Sequence, residues 1–230
     1  METAIEISDL RFAWPGDVEP VLKIAYLQIH PGQRVFIQGP SGSGKSTLLH
    51  LLAGVVIPQK GSVLVNGCRI NALNGSQRDR FRADHMGYIH QMFNLIPYLS
   101  VIENVTLACR FSTRRKQRAS TQTGGFQEDA IRLLNHLGMD GPNVINKPVI
   151  ELSVGQQQRV AAARALIGSP EILIADEPTS SLDADRREAF IQLLFSECKR
   201  DKTTIIFVSH DTGLAGFFDR TIRLGDINDV

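Results

Sequence analysis

Gly39-Pro40-Ser41-Gly42-Ser43-Gly44-Lys45-Ser46 places three glycines, a lysine and a hydroxyl in the spacing G-x-x-x-x-G-K-[ST]. This combination suits the cradling of phosphate. Glycines let successive backbone N–H groups turn toward one anion, and a helix starting there points its positive end at the same place. Lys45 is placed to reach β- and γ-phosphates, and the Ser46 hydroxyl can ligate Mg²⁺. A second constellation is Asp176-Glu177, which ends the apolar run Ile172-Leu173-Ile174-Ala175. Parallel strands deliver their C-terminal ends to one edge of a sheet, so Asp176 can hold Mg²⁺ through water opposite Ser46. Glu177 can then point toward an attacking water, as a general base must. Taken alone, the pair also reads as two acids capping a strand edge.

The elements that must position these groups are legible. The buried run Arg34-Val35-Phe36-Ile37-Gln38 precedes the glycine loop, and a helix through Leu48, Leu49, Leu51 and Leu52 follows it. Ile5 and Ile7, then Leu22, Ile24, Leu27 and Ile29, alternate with other residues as half-buried strands do. Ser62 to Val65, Gly87 to His90, Thr203 to Ser209 and Thr221 to Leu224 are further strand candidates. Helices are expected over Gln77 to Ala83, Val101 to Cys109 and Gln127 to Leu137. Another long one follows Ser153, and Asp183 is placed to cap the next. Arg110 to Phe126 is polar and basic and reads as a loop or mobile linker between helical pieces. Strands alternating with helices imply a parallel sheet covered on both faces.

The chain has 230 residues and a formal charge of +1, which argues against a dedicated nucleic-acid binder. No apolar run approaches the ~20 residues needed to cross a bilayer. The start of the chain lacks the basic and apolar blocks of a signal peptide. A cytosolic chain brought to a membrane by another protein is therefore expected. Cys68, Cys109 and Cys198 lie far apart and form no C-x-x-C pair, so they read as ordinary reduced thiols.

The segment Leu152-Ser153-Val154-Gly155-Gln156-Gln157-Gln158-Arg159-Val160 resembles the LSGGQ signature of ABC (ATP-binding cassette) ATPases, at the spacing from Asp176 that this family shows. The resemblance runs over about residues 4 to 226. It implies an α/β fold: a P-loop NTPase core with a mainly parallel sheet, an N-terminal antiparallel β part and an inserted helical subdomain. Within one domain, 4–90 and 157–226 would form the RecA-like core with its antiparallel part, and 91–156 the helical subdomain carrying the signature. ATP and Mg²⁺ are the implied ligands. Gly39 to Ser46 with Thr47 would hold phosphate. Ser153, Gly155 and Gln156 would face the γ-phosphate bound by a second copy in a head-to-tail dimer. Trp14 looks like the adenine-stacking aromatic, and Gln91 like the glutamine that touches Mg²⁺ and the attacking water. Ser180-Ser181-Leu182-Asp183 resembles the D-loop, and His210 the switch histidine on the γ-phosphate. Glu177, His210 and Gln91 would thus serve catalysis, with Ser46, Gln91 and Asp176 around the metal. Duller readings stand beside three of these: Trp14 as a hydrophobic plug, Gln91 as a surface loop residue, His210 as a strand-end histidine.

Gln91 to Pro97, Glu103-Asn104-Val105 and Asp176-Glu177-Pro178-Thr179 look like the lipoprotein-releasing and macrolide-exporting branch, with the cell-division ATPase a near neighbour. The resemblance therefore implies a transmembrane permease partner and a peripheral place on the cytoplasmic face of the inner membrane. A regulatory or other non-transport ABC ATPase is the alternative. A metabolite kinase would explain neither the signature nor His210. Val154 stands where the family commonly has glycine, which is costly if that residue needs a positive φ. The basic stretch Arg110 to Arg118 reads either as a solvated loop or as a contact for anionic lipid or a membrane partner.

Overall fold

The computed structural model describes residues 3–141, 144–180 and 182–230. In chain order its elements are β1 Ile5–Phe12, β2 Leu22–Ile29, β3 Arg34–Gln38, α1 Lys45–Leu52, β4 Lys60–Val65, β5 Cys68–Arg69, α2 Gly75–His85, β6 Met86–Ile89, α3 Val101–Phe111 and α4 Thr113–Thr123. These are followed by α5 Phe126–His136, α6 Val154–Leu166, β7 Ile172–Asp176, α7 Ala184–Asp201, β8 Thr204–Val208, β9 Arg220–Arg223 and α8 Leu224–Ile227. Two compact units result: Met1–Arg82 with Thr204–Val230, and Ala83–Thr203.

In the first unit an antiparallel sheet runs in the order β2-β1-β4-β5. Its register pairs Ile5 with Ile29 and Val65, and Ile7 with Leu27 and Val63, so one face of the sheet is continuous hydrocarbon. The register shifts between Ser8 and Arg11. There Asp9 is left-handed (φ 49), and a Cβ on Gly61 would lie 2.5 Å from the Asp9 backbone. Only glycine lets β4 pass so close. The same unit holds a parallel ladder in which β3 pairs with β8 on one side and β9 on the other. Val35, Phe36 and Ile37, and Ile205 to Val208, are fully buried. That explains their unbroken apolar sequence, because a parallel strand covered on both faces has no polar side.

In the second unit β6 and β7 are parallel, with Gly87 opposite Leu173 and Ile89 opposite Ala175. A Cβ on Gly87 would meet the Ala165 carbonyl at 2.3 Å, so this glycine permits α6 to lie against the strand. Helix α3 starts with a capping box in which Ser100 and Glu103 each accept from the other's backbone N–H. Asn104 is fully buried and stitches the preceding loop together. It accepts from Ile96 N at 2.8 Å and donates to the carbonyls of Ile96, Leu99 and Ser100. Helix α7 starts at Asp183, whose carboxylate accepts from Arg186 N at 3.0 Å, as its position before the helix predicts.

Arg110 to Phe126 is not a linker. Most of it is α4, capped by Ser112, which accepts from Arg115 N at 3.0 Å, and ended by left-handed Gly124 (φ 89). Its inward face consists of Arg115 and Ala119, so no apolar stripe marks it. Arg115 is 3% exposed. It donates to the carbonyls of Ile167 (2.8 Å), Met86 (3.2 Å) and Ala165 (2.6 Å). Arg114 and Arg118 both pair with Glu171, at 2.5 and 2.6 Å, and Lys116 stands 5.2 Å from the centre of the Phe126 ring. A solvated loop does not describe these residues, because the segment is helical and three of its arginines serve the protein's own fold, while Arg110, Arg114 and Lys116 remain exposed. Burial pushes the Glu171 carboxyl up, but hydrogen bonds from His85, Arg114 and a backbone N–H, with the Arg118 charge, bring it down to about 2. Burial pushes the Cys109 thiol up to about 11 and the Cys198 thiol further still. No helix among the described residues is long and apolar enough to cross a membrane.

Candidate functional site

In the first unit the glycine loop joins β3 to α1. Gly42 (φ 78) and Gly44 (φ 97) lie in the left-handed region that side chains rarely adopt. A Cβ on Gly44 would sit 3.0 Å from the Leu22 side chain, and one on Gly39 would sit 2.7 Å from Ser43 Oγ. Gly44 is the N-cap of α1 and brings no side chain to it, so the first N–H groups of the helix are left for another acceptor. Lys45 is nearly buried and arches back over the loop, donating to Gly39 O at 2.7 Å and Pro40 O at 2.8 Å. The Ser43 hydroxyl is buried and has no hydrogen-bond partner among the described residues. Such a group costs about 1–3 kcal/mol unless something meets it. A buried cation, uncapped helical N–H groups and an orphaned hydroxyl all fit a phosphate chain. Pro40, Ser41 and Ser46 are exposed, while Thr47 is buried.

Val208 and Ile37 are partners in the β3–β8 ladder, and Ser209 N donates to Ile37 O at 3.4 Å. The parallel pairing therefore brings exposed His210 to the strand edge from which the glycine loop departs. Trp14 follows β1. Phe12 is the buried ring there, at 4% exposure, and Trp14 leans edge-on against it with 5.1 Å between centroids while staying 37% exposed. The core plug is thus Phe12, and the Trp14 ring is accessible.

In the second unit the same logic places Gln91 and the acidic pair at one edge, because Ile89 and Ala175 are ladder partners. Asp176 ends β7 and Glu177 follows in the left-handed region (φ 48), a strained conformation for a residue with a side chain. Gln158, 1% exposed in α6, fastens this turn by donating to Pro178 O at 2.8 Å. Burial and the Asp176 charge both push the Tyr88 hydroxyl above its ordinary range.

Ser153 is the N-cap of α6, in a capping box with Gln156: Ser153 Oγ accepts from Gln156 N (3.4 Å) and Gln156 Oε1 from Ser153 N (3.0 Å). Val154 is the first residue of the helix and is not among the left-handed residues, so its side chain carries no backbone cost. Gly155 is not left-handed either, and among the described residues a Cβ there would meet only Leu182, at 3.9 Å. Packing among the described residues does not require glycine at that position. Asp183 sits at the head of α7, and Ser181 of the same loop lies outside the described residues. Sequence reasoning missed Gln158, Arg115 and Arg164, a buried-side arginine between two alanines of α6. Charge marks the stretch that holds Arg115 but not its role, and periodicity marks none of the three, since each acts through backbone carbonyls far away in sequence.

Comparison with known proteins agrees with this geometry. Residues 22–180 match the family model described as "ABC transporter". The chain is 37% identical over 198 residues to the lipoprotein-releasing system ATP-binding protein LolD of Psychrobacter arcticus, covering 86% of this chain and 84% of that protein. It is 39% identical over 205 residues to the ABC transporter ATP-binding protein MJ0796 of Methanocaldococcus jannaschii, covering 89% and 85%. A solved dimeric structure of MJ0796 in a post-hydrolysis state, bound to ADP and Pi, superposes with a TM-score of 0.83 at 34% identity, covering 95% of this chain and 93% of that one. With the phosphate-binding loop, the two sheets and the capped signature helix in place, the chain belongs to the ABC transporter family, as one of its ATP-binding, ATP-hydrolysing domains.

Proposed function

We propose that this chain powers a membrane transporter of the lipoprotein-releasing kind, as a peripheral subunit on the cytoplasmic face of the inner membrane. In this reading 4–226 works as one ATPase domain, and two copies bind ATP head to tail. The observation that carries the ATP-binding part is the loop itself: Lys45 held over it, an uncapped helix start and the orphaned Ser43 hydroxyl. The dimer and the transporter branch rest on similarity to LolD and to MJ0796.

Lys45 and the N–H groups of the loop would take the β- and γ-phosphates, with Trp14 against adenine. Ser46, Asp176 and Gln91 offer the oxygen donors that suit Mg²⁺, which would neutralise phosphate charge when bound. Glu177 would accept the proton of the attacking water. His210 and, from the second copy, Ser153 would stabilise charge on the γ-phosphate. Asp183 would border the same interface. The permease that receives the work is a separate membrane chain, and no nucleic acid is expected.

The test uses Glu177→Gln and Lys45→Ala in the full chain. Glu177→Gln should lose steady-state hydrolysis and keep ATP binding, whereas Lys45→Ala should lose nucleotide affinity. Unchanged turnover in the first variant or unchanged affinity in the second would sink the assignment. A detergent pull-down with tagged Glu177→Gln, ATP and Mg²⁺ then tests the branch. A co-purified few-span membrane protein with a large extracytoplasmic domain supports it. A many-span permease with a solute-binding protein overturns it.

A further inference from the structure

Phe93 and Asn94, two and three residues beyond Gln91, are both left-handed, with φ of 59 and 48. The buried aromatic there stores strain of roughly 1–3 kcal/mol, and the asparagine, which tolerates this region better, up to about 1 kcal/mol, and the surroundings must hold both. Local hydrogen bonds are few: Phe93 N donates to His90 O at 2.9 Å and Asn94 N to Met92 O at 2.6 Å. The strong hold comes from elsewhere. Arg164, in the last turn of α6, donates Nη2 to Phe93 O at 2.5 Å and Nη1 to Asn94 O at 2.7 Å. Its planar fork grips the two strained carbonyls at once.

Beside the fork lies a cavity of about 270 Å³, lined in part by Tyr88, His90, Asn94, Phe111, Arg115 and Arg164. The loop is therefore not packed solidly on that side, and the fork does what packing does elsewhere. Arg164 is itself anchored, because Arg115 reaches from α4 to the carbonyls of Ala165 and Ile167 at the same helix end. The other end of α6 carries Ser153. One helix thus bears the signature serine at its start and holds the Gln91 loop at its finish.

We propose that Arg164 is a positioning residue for hydrolysis: its fork fixes the left-handed pair after Gln91, and so sets Gln91 in register with the signature helix α6. This rests on the reading that Gln91 serves hydrolysis. Removing the fork lets the loop relax, and displacement of a positioned group by about 1 Å can cost on the order of 100-fold in rate.

The experiment measures ATPase kcat, KM for ATP and thermal melting of the full chain as wild type, Arg164→Ala, Arg164→Lys, Gln91→Ala and the Arg164→Ala/Gln91→Ala pair. Both Arg164 variants should lower kcat about 10- to 100-fold with KM nearly unchanged, because an ammonium does not bridge both carbonyls as the fork does. The double variant should be no slower than Gln91→Ala alone, as for residues acting through one group. Multiplying losses in the double variant, full activity in Arg164→Lys, or a raised KM would overturn the inference. So would loss of the melting transition in both Arg164 variants, which would mark a structural anchor only. If Gln91→Ala loses kcat and the Arg164 variants do not, this inference falls and the reading of Gln91 stands. If Gln91→Ala keeps full kcat, that reading falls and takes this one with it.

Discussion

The loop Gly39–Gly44 and the loop that follows Gln91 pass through the same left-handed backbone region by opposite means. The first uses glycines at Gly42 and Gly44, which adopt it without steric cost. The second uses Phe93 and Asn94, which resist it, and relies on an arginine seventy positions away in sequence to hold them. Glycine makes a turn stable by composition alone. A turn of ordinary residues is stable only while its anchor is in place, so it answers to whatever moves that anchor.

That contrast is sharpest at the anchor. Arg115 supports the end of α6 from which Arg164 reaches, and Arg115→Met would leave the carbonyls of Met86, Ala165 and Ile167 without this donor. At about 1–3 kcal/mol for each buried group left unpaired, the loss should be about 3 kcal/mol or more. Urea unfolding of the two proteins should show it; an unchanged midpoint would mean that α4 does not brace this helix end. A smaller effect separates the loops directly. Gly44→Ala forces a side chain into φ 97 beside Leu22, and should cost about 1–3 kcal/mol together with nucleotide affinity. Asn94→Gly should have the opposite sign, stabilising by up to about 1 kcal/mol because the strain disappears. Equal signs in the two melting curves would break the comparison.

The smallest effect is visible only in acid. Glu171, which pairs with Arg114 and Arg118 of α4, has its carboxyl lowered from 4.5 to about 2. A carboxyl lowered by folding adds stability that is fully present above its unfolded pKa and is lost as pH falls through the folded one. The gap in melting temperature between wild type and Glu171→Gln should therefore be full above pH 4.5 and close as pH approaches 2. A gap independent of pH over that window would show that the ion pairs with α4 contribute nothing.

The sequence by itself determined much of this protein. The glycine loop, the apolar strands β3, β7 and β8, the helix start after Ser153, the cap Asp183 and the acidic pair after β7 were all legible, because each is a local rule: glycine for positive φ, unbroken hydrocarbon for a covered parallel strand, a short polar side chain at a helix start. Val154 shows the limit of such a rule. Its cost depended on a backbone angle that residue type does not reveal, and as the first residue of α6 it carries none.

What only the tertiary structure decided is what arginine does at a distance. Helix α4 was hidden because its buried face is Arg115 and Ala119, where periodicity looks for hydrocarbon. The partners of Arg115 and Arg164 are backbone carbonyls, which every residue possesses and no sequence pattern marks. A guanidinium buried against carbonyl dipoles contributes its energy only once the chain has brought those carbonyls together, so its role exists in the fold and not in the order of residues.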